Sequence, residues 1–272
     1  MREKLMHTYK WLFLSLLFIF MNVCYAQSQC FIVTDENNRV LEKEGECATP
    51  YTPGSTFDIA ISLMGYNEGI LMDTTHPVYP FKKGYPDDLP SWKEPQNPRT
   101  WMKNSCLWYA QFITQQLGMS IFQKYVTAFD YGNEDVSGDK GKNNGLTHAW
   151  LSSSLQISPP EQLVFLQKML QGKLPVNEKS VQLTKQLLFI ENIADGWKLY
   201  GATGSGYTVN AVDPSDESKP IGWFVGWLQR SDRTVFFAQS IQEDKPGDVS
   251  PGLKAKAELY AKMNRVTGED FR

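Results

Sequence analysis

The chain has few of the residues that metal centres and dense disulfide frameworks need: four cysteines and three histidines in 272 residues. Beyond the leader described below only His76 and His148 remain. They are far apart, and no cysteine or carboxylate cluster stands at ligand spacing. That argues against a zinc site, and no cofactor is expected. A serine–histidine–acid triad needs only one histidine, so it is unsupported rather than excluded. An excess of basic charge is also missing: 27 Lys and Arg stand against 30 Asp and Glu, a formal net charge of −3. Nucleic acid and anionic membrane surfaces are therefore poor candidates as partners. No apolar run after residue 21 is long enough to cross a bilayer, and there are no repeats or low-complexity tracts.

Apolar side chains are plentiful: 42% of residues are hydrophobic and 13% aromatic, which excludes disorder as the main state. Arg2, Lys4 and Lys10 precede an apolar run from Trp11 to Met21, and Asn22 ends it. Cys24-Tyr25-Ala26 then offers small residues where a signal peptidase reads them. Residues 1–26 are thus expected to be a signal peptide cleaved after Ala26, with residues 27–272 forming one periplasmic or secreted domain. No membrane association is expected after cleavage. Losing three basic residues and one acidic residue makes the remainder more negative. Export leads to an oxidising compartment, where cysteines can pair. Cys30 and Cys47 flank a hairpin, CFIVTDENNRVLEKEGEC, with its turn near Asn37-Asn38. A cross-hairpin disulfide depends on the strand register, which sets the sulfur distance. Cys106 reads as a buried small hydrophobe.

Pro53-Gly54 is a turn, and Ser55 or Thr56 can cap a helix running to about Tyr66. Six prolines break residues 67–100 into loops. Helical spacing predicts Asn104 to Leu117, ended by Gly118, and then Ser120 to Phe129. Two more helices follow, one opened by Pro159-Pro160 and ended by Gly172, and one over Val176 to Ile190. From Lys198 the text becomes aromatic and β-branched, predicting three consecutive antiparallel strands, KLYGATGSGYTVNAV, IGWFVGWLQR and RTVFFAQSI. A last helix spans about Gly252 to Arg265. The order predicts an α+β fold: an antiparallel sheet built from both chain ends, flanked by helices, with a helical region inserted.

Four stretches in this order, PGSTFDIAISLMGY, WMKNSCLWY, FDYGNEDVSGD and KLYGATGSGY, resemble the class D (oxacillinase-type) serine β-lactamases, as do LTHAWLSSSLQISPPEQ and GWFVGW. The resemblance spans Cys30 to the terminal helix and implies the serine β-lactamase, or penicillin-recognising, fold. It also implies acyl transfer: a serine opens a β-lactam ring, and water then hydrolyses the acyl-enzyme. Ser55 takes the nucleophile position. Ser105 takes that of the proton-shuttling serine in S-x-V, with Leu107 in third place. Tyr131 and Asn133 match the Y-G-N loop. Trp150 matches the tryptophan that touches the family's base. Thr203, Gly204 and Ser205 match the substrate-binding strand, and the Ser55 and Ser205 backbone N–H groups would form an oxyanion hole. The implied ligand is a β-lactam or a peptidoglycan-peptide-like small molecule; a homodimer stays open.

Two departures bear on the chemistry. The family's base is a carboxylated lysine three residues after the serine, and here that position is Asp58. Aspartate keeps a negative charge but lacks the reach, and it is a poor base near neutral pH whether ionised at about 3.9 or protonated by burial. The K-T-G lysine is replaced by Ala202, which supplies neither charge nor donor. The stretch DVSPGLKAKAE has no arginine to clamp a substrate carboxylate, although Lys254 or Lys256 could substitute. The resemblance with these replacements implies a β-lactamase-like protein with lost or strongly impaired hydrolysis. Two alternatives stay open: an active β-lactamase with a substitute base, and a non-enzymatic periplasmic binding or sensor module. The replacements fit either natural drift or deliberate inactivation.

Overall fold

The computed structural model describes residues 29–209, 218–231 and 233–268. The expected signal peptide, residues 1–26, lies outside the described residues. Six strands form one antiparallel sheet: β1 (Gln29–Asp35), β2 (Val40–Gly45), β3 (Phe189–Asn192), β4 (Lys198–Tyr207), β5 (Pro220–Arg230) and β6 (Arg233–Gln242), in the order β2-β1-β6-β5-β4-β3. β1 lies against β6, from Gln29 opposite Ile241 to Asp35 opposite Val235, so the two ends of the chain close the sheet together. β5 is buried from Pro220 to Leu228. A strand covered on both faces reads as a continuous apolar run, as IGWFVGWL does.

The inserted helices are α1 (Asp58–Asn67), α2 (Pro98–Asn104), α3 (Leu107–Ala128), α4 (Gly145–His148), α5 (Pro159–Leu170) and α6 (Glu178–Leu188). They cover one face of the sheet and share a core that includes Phe57, Trp101, Trp150, Leu166, Trp223 and Trp227. On the other face α7 (Pro251–Ala261) and α8 (Met263–Thr267) bury Leu259, Met263 and Val266 against Phe31, Phe224 and Phe237. None of the helices described is long and apolar enough to cross a membrane. Cys30 and Cys47 are joined across the hairpin, with Cα atoms 4.9 Å apart.

Three elements differ from the sequence-based expectation. The region 67–100 is loop-rich, but α2 begins inside it. Asn97 accepts the Thr100 N–H, the Thr100 hydroxyl accepts the Asn97 N–H, and Pro98 occupies the first turn. That capping box offsets the prolines around it. The helix expected over Asn104 to Leu117 therefore starts at Leu107, because Asn104 ends α2 and Ser105 turns to the left-handed region (φ 48°, ψ 47°). The helix expected over 176–190 stops at Leu188, because Phe189 turns to extended backbone and pairs with Tyr200. Gly118 (φ 72°) breaks α3 where a glycine stop was expected.

Candidate active site

The segment leading to Ser55 is held from three sides. The Trp150 carbonyl accepts the Gly54 N–H (3.0 Å) and the Thr52 hydroxyl (2.8 Å). The Thr52 hydroxyl accepts the Ser152 N–H (2.9 Å), and the Trp223 indole of β5 donates to the Thr52 carbonyl (2.9 Å). Residues Gly54–Phe57 then form a single 3₁₀ turn that runs into α1. This turn meets β4 backbone to backbone. Gly54 has φ +53°, and a Cβ there would sit 2.5 Å from the Ser205 carbonyl oxygen; a Cβ at Gly204 would sit 2.5 Å from that of Pro53. Only glycine allows this approach, which sets Ser55 beside Ser205. Ser55 is half-buried, and among the described residues its hydroxyl makes no hydrogen bond. The cap positions of the turn and of α1 are Pro53 and Phe57, without side-chain bonds. Ser55 is therefore not the helix cap that its sequence context allowed.

Asp58 stands one helical turn from Ser55, on the same face. It is 3% exposed, and no hydrogen bond to its carboxyl occurs among the described residues. Burial raises its pKa well above the usual carboxylate range, because desolvation penalises the charged form. An Asp58 charge would raise both the Cys106 thiol and the Tyr131 hydroxyl, so both lie within electrostatic reach of it. Cys106 is pushed up to about 12, chiefly by burial, with Asp58 adding to the effect. That thiol is no alternative nucleophile. Ser105 sits beside Cys106, half-buried at the C-terminal end of α2.

Tyr131, Asn133 and Trp150, which the resemblance places at the substrate-binding site, each hold a bracing position in the structure. Tyr131 is fully buried and donates to Gln162 Oε1 (3.4 Å). Gln162 donates to the Thr56 hydroxyl (2.9 Å), which donates to the Pro53 carbonyl (2.8 Å). This buried chain supports the turn that carries Ser55. Asn133 ties its own loop to the strand-like run before α5: its amide donates to the Ser154 carbonyl (2.8 Å) and accepts the Gln156 N–H (2.9 Å). Trp150 is 1% exposed, packed on Phe57 (centroids 5.7 Å apart) and edge-on to Phe122. Sequence reading missed Gln162. Its signal was an amide on the apolar face of α5 beside Leu163, Phe165 and Leu166, where only a bonded polar group is stable.

β4 pairs with β3 no further than Tyr200, opposite Phe189. Past that point Ala202, Thr203, Gly204 and Ser205 pair with β5 on one side, and their other edge has no strand partner among the described residues. Gly204 meets the Ser55 turn, and the Ser205 hydroxyl accepts the Gly252 N–H at the start of α7 (3.0 Å). Ala202 and Thr203 instead border a cleft of about 440 Å³, lined also by Met102 and Lys103 of α2, by Phe224 and by Lys256 of α7. Of the two lysines considered as substitutes for a clamp, Lys254 is paired with Glu243, and Lys256 faces this cleft. Among the described residues no group of three histidine, cysteine or acidic side chains is placed to hold a metal ion.

A family model described as the penicillin binding protein transpeptidase domain matches residues 26–265. The chain is 36% identical over 242 residues to "Beta-lactamase OXA-9" of Klebsiella pneumoniae, covering 88% of each chain. It is 36% identical over 241 residues to "Beta-lactamase OXA-1" of Escherichia coli, covering 87% of this chain and 84% of that one. The solved structure of the OXA-427 class D β-lactamase superposes with a TM-score of 0.84 at 44% identity, covering 88% of this chain and 98% of the other.

Proposed function

The chain belongs to the class D serine β-lactamases, and on that premise we propose that it takes a β-lactam, or a peptidoglycan-peptide-like ligand, onto Ser55 and releases it slowly or not at all. The ring-opening step is acyl transfer. The Ser55 oxygen bonds to the lactam carbonyl carbon, the ring C–N bond breaks, and the serine proton passes to the ring nitrogen, with Ser105 as the shuttle. The adjoining Ser55 and Ser205 backbones support an oxyanion hole, which needs no particular side chain. Release needs water to add to the ester and Ser55 to leave as the alcohol, and a base must take the water's proton.

The observation that carries this reading is the state of Asp58. It is buried, without a hydrogen-bond partner among the described residues, and burial raises its pKa above the usual carboxylate range. A side chain as short as aspartate cannot reach as far as the lysine it replaces, and among the described residues no donor beside it favours the ionised form that a base needs. Ala202 adds to the loss, since no cation stands at that strand position. Export to the periplasm or exterior, with cleavage after Ala26, completes the proposal, and the Cys30–Cys47 disulfide fits an oxidising compartment.

Intact-mass measurement after exposure to benzylpenicillin tests it. The expected result is a whole-penicillin adduct on Ser55 that outlasts removal of the free drug and is absent from Ser55→Ala. Fast turnover without an adduct would instead establish a working enzyme with a substitute base. No adduct and no turnover would leave a non-covalent binding module. Asp58→Lys combined with Ala202→Lys is expected to raise nitrocefin hydrolysis by about a hundredfold or more, the scale of a restored general base.

A further inference from the structure

Ser152 lies in the stretch LTHAWLSSSLQ, and the acyl-transfer chemistry above gives it no part. Its backbone is unusual, with φ +53° in the left-handed region. A residue with a Cβ occupies that region at a cost, and such positions persist where the surroundings over-determine them. Both of its polar groups are used. The Ser152 N–H donates to the Thr52 hydroxyl (2.9 Å), three residues before Ser55. The Ser152 hydroxyl accepts the Tyr207 N–H (2.8 Å), two residues after Ser205. One serine is thus bonded to the segment that leads to Ser55 and to the strand that carries Ser205. Among the described residues no other hydrogen bond joins residues 150–152 to β4. The space between is tight: a Cβ at Gly206 would stand 3.1 Å from the Ser152 hydroxyl oxygen and 3.0 Å from the Thr52 methyl.

The direction of the Tyr207 N–H gives this bridge its consequence. In an antiparallel pair, alternate residues turn their N–H and C=O groups toward the same neighbour. The Thr208 N–H donates to the Lys219 carbonyl on the β5 side (2.8 Å). Tyr207 therefore faces the open edge of β4, and Ser205, two residues back, presents its own N–H to that edge. The Ser55 turn stands against it: a Cβ at Gly54 would sit 3.0 Å from the Ser205 nitrogen. The two backbone donors of the oxyanion hole thus come from separate pieces of chain, a 3₁₀ turn and a strand edge. Such donors act together only when both stand about 3 Å from one oxygen. The glycine contacts set how near the turn and the strand come. A close contact does not stop one from sliding along the other, whereas a hydrogen bond to one fixed point on the strand does. We infer that Ser152 is a positioning residue for acyl transfer: by bridging Thr52 and Tyr207 it holds the Ser55 and Ser205 N–H groups aimed at one acyl carbonyl oxygen. It acts through these two backbone segments and rests on Ser55 being the acylated residue.

Ser152→Gly is the diagnostic variant, because glycine suits φ +53° and removes only the hydroxyl and its carbon. Amide hydrogen exchange at Tyr207 is expected to quicken, since that N–H loses its acceptor. Acylation by benzylpenicillin, followed by intact mass in a chain otherwise unaltered, is expected to slow by about tenfold or more, less than the outright loss of an oxyanion donor costs. Benzylpenicillin affinity measured in the Ser55→Ala background, where no covalent step occurs, should stay within about twofold when Ser152→Gly is added. That split separates alignment of the reacting carbonyl from binding of the ligand. Ser152→Asn tolerates the left-handed backbone and offers an oxygen acceptor, so it should recover most of the rate. A rate within about twofold of the unaltered chain's, a loss of affinity that matches the loss of rate, or no recovery in Ser152→Asn would overturn the inference. If the unaltered chain forms no adduct, the Ser55 reading fails and the bridge falls with it. An adduct whose rate of formation ignores Ser152 overturns the bridge alone.

Discussion

At the scale of single residues, Asp58 is the position where folding and chemistry conflict. A buried carboxyl with no partner has a higher pKa folded than unfolded, so below the unfolded value near 3.8 it is neutral in both states and costs nothing. As pH rises past that value the unfolded chain ionises and the folded one resists, so stability falls until the folded group itself titrates. Asp58→Asn keeps the shape and removes the titration. Its Tm is expected to exceed that of the unaltered chain at pH 7 by about 3 °C or more, the shift that about 1 kcal/mol gives in a domain of this size. The two melting curves should converge near pH 4. A constant gap across the range would mean that Asp58 is hydrated in solution. The residue's identity was plain in the sequence; its burial is a product of the fold, which also brings Cys106 and Tyr131 within reach of its charge.

At the scale of elements, the devices that hold the site are bracing contacts between pieces distant in sequence. The hairpin β1–β2 is closed by the Cys30–Cys47 disulfide over a separation of 17 residues. A loop of that length contributes about 3 kcal/mol. Cys30→Ala with Cys47→Ala is therefore expected to lower Tm by roughly 6–12 °C in a thermal melt. Arg265 of α8 fastens the same hairpin to the C-terminus through Glu42 (2.8 Å) and Glu44 (2.7 Å). These pairs are partly exposed, so their net worth is small, about 0–1 kcal/mol each. The turn carrying Ser55 depends instead on buried groups, among them Thr52, Thr56 and Gln162. The helix start at Pro159-Pro160 and the glycine break at Gly118 were legible from local text, whereas the start at Pro98 was hidden among prolines that read as loop. The short strand β3 was not, because four residues joined to a helix carry too little periodicity to separate one state from the other.

At the scale of the whole molecule, one sheet serves two cores. α1–α6 pack on one face and α7–α8 on the other, and β5 is buried between them. Damage on the α7 face should therefore be felt on the Ser55 face. Leu259→Ala removes a fully buried side chain of the second core. It is expected to cost about 2–5 kcal/mol and to lower Tm by roughly 5–15 °C. Near-UV circular dichroism, dominated by the tryptophans of the first core, should melt in the same single transition. Two separate transitions would show that the faces unfold independently.

The sequence by itself determined the layer order, the pairing of the two chain ends in one sheet, and the family, because hydrophobic period and short motifs are local properties that survive without coordinates. The same motifs single out Ser55 and Ser105 as candidates. Tertiary structure alone decided which side chains face a cleft and which lie beneath one. Tyr131 and Trp150 belong to the same set of motifs as Ser55, yet both are buried while Ser55 is half-buried. Lys256 and Lys254, two residues apart on one helix, divide between an open cleft and an ion pair. Burial and charge pairing depend on what packs against a residue from far along the chain, and a linear motif does not encode those neighbours.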